Sequence, residues 1–285
     1  MTAPRALEDA VLAGLHALPS VSLAELTGGA AALMTRTDRK YLVPEESLAD
    51  VVGALGALDS GAGVLEIAGR RRHTYVSTYL DSPGLDSYWG AARRRRHRFK
   101  VRTRRYVDSG HDFTEVKTRG PRSTNVKARI PREAPAISDS SGLLSASETQ
   151  FVAGQLASAG VGRVDVSALV STVSTAYDRS TLWLPQRGAR VTIDRRIAWS
   201  ARWMDGQLRV PGLAIVETKA AGARAGVDRA LWQQGHRPVS ISKYATGLAL
   251  LLPELPAHRW HRVLERDLRP RLVNHHTRST TQEIR

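Results

Sequence analysis

Cysteine is absent from the 285-residue chain, which excludes a disulfide framework, a thiolate metal site and a thiol nucleophile. A reducing cytoplasm is the location this favours. Aromatic residues are scarce, at 6%, so base stacking along a single-stranded nucleic acid has little to build on. Acidic residues are also in short supply: 27 Asp and Glu stand against 42 Lys and Arg, for a net charge of +15. Long apolar runs are missing as well. No run is longer than Leu248 to Leu252, far short of the roughly 20 residues that carry a helix across a bilayer. The N-terminal stretch MTAPRALEDAVLAGLHALPS is interrupted by Glu8 and Asp9 where a secretory signal would be continuously apolar. The motifs G-x-x-x-x-G-K, H-E-x-x-H and G-x-S-x-G do not occur, which argues against a P-loop nucleotide site, a zincin site and a hydrolase elbow.

What remains is an ordinary globular composition, 42% hydrophobic and 24% charged, carrying an excess of positive charge that favours a polyanionic partner. Leu7, Val11, Leu15 and Leu18 recur at helical spacing and predict an N-terminal helix, followed by a connector to Gly28-Gly29. The segment 35 to 43 reads as a strand, and PEESLADVVGALGAL after it as a helix that starts with Pro44 and two glutamates. Strands are then predicted at 73–81, 93–106, 111–118, 123–130, 169–184, 189–200 and 207–219, with turns such as Asp-Ser-Gly, Gly-Pro-Arg and Gln-Arg-Gly between some of them. Helices are expected at 145–160, around DRALWQQG and SKYATGLALLLPEL, and over AHRWHRVLERDL. This pattern gives an α+β chain built on an antiparallel sheet or barrel. Three regions follow: a helix and connector over 1–30, the main domain over 31–268, and a tail over 269–285 that is expected not to order.

Alternate residues of a strand face opposite sides of a sheet. Read so, Arg94, Arg96, Arg98, Lys100, Arg102 and Arg104 share one face of the basic segment, while His97, Phe99, Val101 and Thr103 share the other. Further on, Phe113, Glu115 and Lys117 share a face, as do Asn125, Lys127 and Arg129, then Tyr177 and Arg179, then Ile215, Glu217 and Lys219. If such faces converge they form a basic concavity that concentrates phosphate. Glu115 and Glu217 each stand two residues before a lysine. Such a pair can hold a divalent ion beside a phosphate ligand, although cross-strand charge pairing also produces it.

The ordered set RTDRKYLV, STYLDSPGLDSY, FKVRTRRY, FTEVK, TAYDRSTLW, RVTIDRRI, IVETK and RPVSISKYATGLALL, from about Arg36 to Leu252, resembles the VTC domain, the polyphosphate polymerase domain of the vacuolar transporter chaperone family in the triphosphate tunnel superfamily. The resemblance implies an antiparallel β-barrel tunnel with flanking helices, lined by basic residues, with a carboxylate holding Mn²⁺ or Mg²⁺. It implies Lys40, Arg102, Arg104, Lys117 and Lys127 as phosphate ligands, Tyr177 and Arg179 as a Y-x-R pair, Glu217 as the metal ligand with Lys219 beside it, and Ser242-Lys243 as the pair opening the last helix. Arg190, before V-T-I-D, is a looser match, and Lys100 shares the face of Arg102. Unlike the eukaryotic members, the sequence carries neither an N-terminal inositol-phosphate-sensing domain nor a membrane span, so export of a product would call for a membrane-protein partner.

The resemblance implies transfer of the γ-phosphate of ATP to a growing polyphosphate chain. Phosphoryl transfer between phosphates needs alignment and charge neutralisation rather than a general base. Two other functions use the same cradle: a triphosphatase or polyphosphatase, and a non-catalytic sensor of polyphosphate or inositol phosphates. No specific nucleic acid is expected. The run Arg93 to Arg96 reads either as a funnel for polymer or as a solvated stretch, and the N-terminal helix either plugs the tunnel or docks elsewhere.

Overall fold

The structure, a computed structural model, describes residues 3–28, 36–120, 125–132, 144–162, 164–221 and 226–275. The connector after Gly28, the Pro121-Arg122 part of one expected turn, and the tail after His275 lie outside the described residues. In chain order the elements are α1 (Ala3–Ala17), β1 (Ser20–Val21), α2 (Leu23–Gly28), β2 (Arg36–Pro44), α3 (Leu48–Ala57), β3 (Gly63–Leu65), β4 (His73–Asp81), α4 (Asp86–Ala92), β5 (Phe99–Tyr106), β6 (His111–Arg119), β7 (Asn125–Arg132), α5 (Ala146–Ser158), β8 (Val170–Leu184), β9 (Ala189–Ser200), β10 (Gln207–Arg209), β11 (Leu213–Ala221), α6 (Gly226–Gln233), α7 (Lys243–Leu251) and β12 (Val273–His275). Residues 258–271 form a run of short, mixed helical turns. The ladders β2–β11, β9–β11, β3–β8, β9–β10, β10–β12 and β4–β5–β6–β7 are antiparallel, and the short β1–β3 pair is parallel. The chain is therefore α+β with an antiparallel sheet, as its strand spacing predicts.

Two compact units are formed, one from residues 1–74, 177–197 and 211–240, the other from 75–176, 198–210 and 241–285. In the first, β2 pairs along its whole length with β11, which pairs in turn with β9. One face of this ladder is apolar: Tyr41, Val43, Val191, Ile193, Val216 and Ala220 join Val51, Val52 and Leu55 of α3 and Val227 and Leu231 of α6 in a single buried cluster. Val11 and Leu15 of α1 belong to the same cluster. The N-terminal helix is thus a packed element of this unit, and Arg71 donates to the Leu15 and Leu18 carbonyl oxygens at its C-terminal end at 2.8 and 2.7 Å, where a cation is favoured. Asp228, buried at the start of α6, accepts from Tyr41, Thr218 and Arg39 at 2.7, 2.7 and 2.5 Å, so its burial is compensated.

The second unit is organised by the β4–β5–β6–β7 meander. Leu80, Phe99, Val101 and Val116 line its apolar face and pack with Val152 and Leu156 of α5. Ser145 and Glu148 cap α5 reciprocally: the Ser145 N–H donates to the glutamate at 2.8 Å and the Glu148 N–H donates back to the serine hydroxyl at 3.3 Å. Against the polar face, Tyr244 of α7 stacks on Tyr79 at 5.1 Å and donates to Asp81.

Three expectations need correction. The basic segment 93–106 is not one strand. Asp81 accepts the N–H groups of Ser87 and Tyr88 at 2.8 and 3.0 Å and starts α4. That helix ends when Arg95 N–H reaches back to the Gly90 carbonyl at 2.9 Å, with Arg94 left-handed at φ 53°. Arg94, Arg96 and Arg98 therefore precede the strand, which begins at Phe99. The expected strand 207–219 is also divided: Pro211 has no N–H to donate and Gly212 takes φ 73°, leaving β10 and β11 on either side. Finally, residues 269–271 make a helical turn and 273–275 pair with β10, although both fall in the stretch expected not to order.

A Cβ at Gly247 of α7 would overlap the Trp199 indole, whose Nε1 donates to the Lys243 carbonyl at 2.7 Å. Gly247→Ala should destabilise the protein by about 1–3 kcal/mol through overpacking. Thermal denaturation checks this, and an unchanged midpoint would contradict the close packing of this helix on Trp199.

Candidate functional site

The polar face of the meander is set by its register. Lys100 stands across from Lys117, and Lys117 across from Lys127; one step along, Arg102 stands across from Glu115 and Glu115 across from Arg129. Three lysines abreast oppose like charge to like charge, which is unfavourable in a bare sheet. The neighbouring carboxylate offsets part of that. Glu115 is 2% exposed, and around it lie Arg102 at 2.5 Å, Lys127 at 2.6 Å and Arg104 at 3.8 Å. Burial pushes its carboxyl upward, but the three cations overcome that and hold it well below the usual carboxylate range. Arg102 also donates to Tyr79 at 3.0 Å and Arg104 to Ser77 at 3.1 Å, so β4 orients both guanidinium groups.

Although the Lys127 side chain is 43% exposed, the protein packed around its amine, then the charges of Arg102 and Arg104, push it down to about 8 against the pull of Glu115. Lys100 donates to the hydroxyl of Ser242 at 2.7 Å. Ser242 is the N-cap of α7, its hydroxyl accepting from the Ala245 N–H at 3.2 Å, and Lys243 is the first residue of that helix. Lys100, Arg102, Arg104, Lys117, Lys127, Ser242 and Lys243 are thus brought onto one unit, together with Glu115.

Lys40, Tyr177, Arg179, Arg190, Glu217 and Lys219 belong to the other unit. On its polar face Glu217 stands across from Lys40 and Lys219 across from Asp38, and on the other side Glu217 and Lys219 stand across from Thr192 and Arg190. Lys219 Nζ lies 3.3 Å from the Glu217 carboxylate. Arg190 donates to the Leu26 carbonyl at 2.7 Å, which ties it to α2. Arg179 sits 5.3 Å from the Tyr177 ring centroid and grips the fully buried Asp194 with two hydrogen bonds, at 2.5 and 2.7 Å. The Y-x-R pair does share a face, and its arginine is held by a carboxylate in a fixed fork geometry.

Asp38 and Asp194 are absent from the residues singled out by the sequence, whereas Glu115, singled out there as one carboxylate of an E-x-K pair that can hold a divalent ion, is instead enclosed by cations. Asp38 had a usable signal: it precedes Lys40 by two residues, the spacing also seen in the two glutamate-lysine pairs. Asp194 had none beyond facing Arg179 across the β8–β9 turn.

The VTC domain family matches residues 35–252. The chain belongs to this family. Its fold is accordingly that of the triphosphate tunnel superfamily. Among solved structures, it is similar to a Bacillus halodurans protein described as a candidate adenylate cyclase, at 12% identity over 75% of this chain and 98% of that one with a TM-score of 0.48. It is also similar to a Hippeastrum protein described as a candidate adenylyl cyclase with a dominant triphosphatase activity, at 15% identity over 77% and 96% with a TM-score of 0.44, and to the PH1819 protein of Pyrococcus horikoshii, at 12% over 77% and 99% with a TM-score of 0.42. No curated protein matches. Family membership carries phosphoryl handling to this chain; likeness at these identities does not choose the substrate.

With Lys127 pushed down to about 8, the meander face should lose a positive charge as pH rises from about 7 to about 9. Affinity for tripolyphosphate, followed by calorimetry, should fall by about threefold across that window, the order of one partly exposed charge contact. Lys127→Arg, protonated throughout, should flatten the profile.

Proposed function

We propose that this protein is a metal-dependent polyphosphate polymerase that transfers the γ-phosphoryl group of ATP to the end of a polyphosphate chain. The lysine row of the meander carries the reading: Lys100, Lys117 and Lys127 across three adjacent strands form a surface whose repulsion an anion with repeated charges relieves. Membership of the VTC family supports the same substrate class. The attacking atom is a terminal phosphate oxygen of the chain. Its bond to the γ-phosphorus forms as the bond from that phosphorus to the β,γ-bridging oxygen breaks, and ADP leaves with the electron pair. The nucleophile is already an anion, so no side chain need remove a proton.

In this scheme Lys100, Arg102, Arg104, Lys117 and Lys127 bind phosphate oxygens, and Glu115 keeps the two arginines and Lys127 in place. Ser242 and Lys243 offer donors at the start of α7. Lys40, Arg179, Arg190 and Lys219 neutralise phosphate charge on the other unit, with Tyr177 supporting the Arg179 guanidinium. The family's divalent ion finds suitable donors here. Across from Glu217 is Thr192, 3% exposed with a hydroxyl oxygen that has no hydrogen-bond partner, and Asp38 lies on the same face. One or two carboxylates completed by phosphate oxygens and water suffice for Mg²⁺, and no cluster of three acidic or histidine ligands occurs among the described residues. Glu217 would hold Mn²⁺ or Mg²⁺ with Thr192 and Asp38 nearby, and the ion would supply charge neutralisation at the phosphates.

The test is incubation of the purified protein with ATP and Mn²⁺, with products resolved as polymer on a gel and as free phosphate. Polymer is expected from the parent, reduced by about 10²-fold in Glu217→Gln, the usual scale for removing one group that stabilises the transferring charge. Phosphate release without polymer would make the protein a triphosphatase. Polyphosphate binding with neither product would make it a sensor.

A further inference from the structure

The arginines displaced from the expected strand have a place of their own. At the C-terminal end of α4 the Ala91 carbonyl accepts both the Arg94 N–H at 3.3 Å and the guanidinium of Arg259 at 2.8 Å. Arg98 donates to the Arg95 carbonyl at 3.0 Å and immediately precedes Phe99, which stands across from Thr118; Arg119 follows Thr118. Arg94, Arg98, Arg119 and Arg259 thereby gather from the α4 turn, the start of β5, the end of β6 and the turn at 258–260, all within one unit. Arg93 to Arg96 are exposed, while Arg98, Arg119 and Arg259 are half-buried. Among the described residues, no carboxylate forms an ion pair with Arg93, Arg94, Arg95, Arg96, Arg98 or Arg119. Their mutual effect is felt: burial, then the charges of Arg119, Arg259 and Arg94, lower the Arg98 pKa, and burial followed by Arg94 and Arg119 lowers that of Arg259.

Two features narrow the ligand. First, the cluster continues a row. With about 3.3 Å per residue along a strand, Lys100, Arg102 and Arg104 follow one another at intervals of about 7 Å, and Arg98 directly precedes that strand, an arrangement that suits a linear chain of phosphates rather than a single one. Second, the nearby aromatic surface is already covered: Arg93 lies 4.5 Å from the Trp89 ring centroid, and Trp260 is 2% exposed beneath Arg259. Neither of these two rings offers bases an open face on which to stack. A polyanion made of phosphate alone fits better than a nucleic acid.

We propose that Arg94, Arg98, Arg119 and Arg259 form a second binding site for linear inorganic polyphosphate, holding a stretch of chain beyond the phosphates bound on the β5–β6–β7 face. This rests on the assignment of that face to phosphate chains, but not on catalysis. Long chains occupy both the face and the cluster; tripolyphosphate is too short to need the cluster. In the proposed polymerase, such a site would retain the chain between additions.

The experiment measures binding without ATP or metal, using the full chain, labelled polyphosphate of about 100 units, tripolyphosphate and single-stranded RNA of matched phosphate number at several salt concentrations. Arg98→Gln/Arg119→Gln should weaken long-chain binding at least tenfold and reduce the slope of log affinity against log salt by about 1.4–1.8, the contribution of two phosphate contacts, while tripolyphosphate binding stays within twofold. Arg94→Glu, at an exposed turn, is the second variant should the double one fail to fold, and the same selective loss is expected. Unchanged long-chain binding in a folded variant overturns the proposal, as does equal weakening for both phosphate ligands. RNA bound as tightly as long polyphosphate overturns the choice of ligand. Loss of tripolyphosphate binding in Lys117→Gln, or its absence from the parent, tests the meander face separately, so failure of the underlying assignment is seen as such.

Discussion

Register on the β5–β6–β7 meander governs the rest of the molecule's chemistry. Val101 and Val116 must point to the α5 side, because each is almost fully buried there. That choice sends Lys100, Arg102, Arg104, Glu115, Lys117 and Lys127 to the other side, since parity along a strand leaves no alternative. Hydrophobic burial thus supplies the driving force that holds like charges together. The cost of opposed lysines, about 0.2–1 kcal/mol for each facing pair, is small beside the burial of two valines at about 1.5–3 kcal/mol each.

The two units use their carboxylates differently. Glu115 is enclosed by three cations and is committed to orienting them. Glu217 has a lysine at 3.3 Å and an unsatisfied threonine hydroxyl across the ladder, so it sits among oxygen donors as well as a cation. Two copies of one sequence pattern, E-x-K, therefore sit in unlike surroundings. Spacing alone does not distinguish them, because the difference lies in what the neighbouring strands place opposite.

Long strands were legible wherever apolar and polar residues alternated: β4 and β9 have the bounds that their patterns predict, and β2, β6 and β8 differ by only a residue or two. The basic run misled because Arg94, Arg96 and Arg98 continue a period of two that is arithmetical only. No buried partner lies between them, and local hydrogen bonding closes α4 instead. The lysine faces could be read from parity, whereas their alignment across strands depends on turn lengths and becomes visible only in the paired sheet. Asp194 was hidden for the same reason. Its role is a cross-strand grip on Arg179, and neither residue signals the other along the chain. No helix among the described residues is long and apolar enough to cross a membrane, in line with the shortness of the apolar runs.

The crossed charges on β2 and β11 bear on how the chain finds its fold. Nine successive pairs join these strands, with Asp38 across from Lys219 and Lys40 across from Glu217. Slippage by one residue is barred because it would turn Tyr41, Val43 and Val216 out of the core. Slippage by two would keep every apolar residue inside, and burial alone would tolerate it. One such slip sets Lys219 against Lys40; the other sets Glu217 against Asp38 and Lys219 against Arg36. Only the native alignment pairs both cations with anions, so this small charged square favours the native register over misaligned ladders that the hydrophobic core alone would accept.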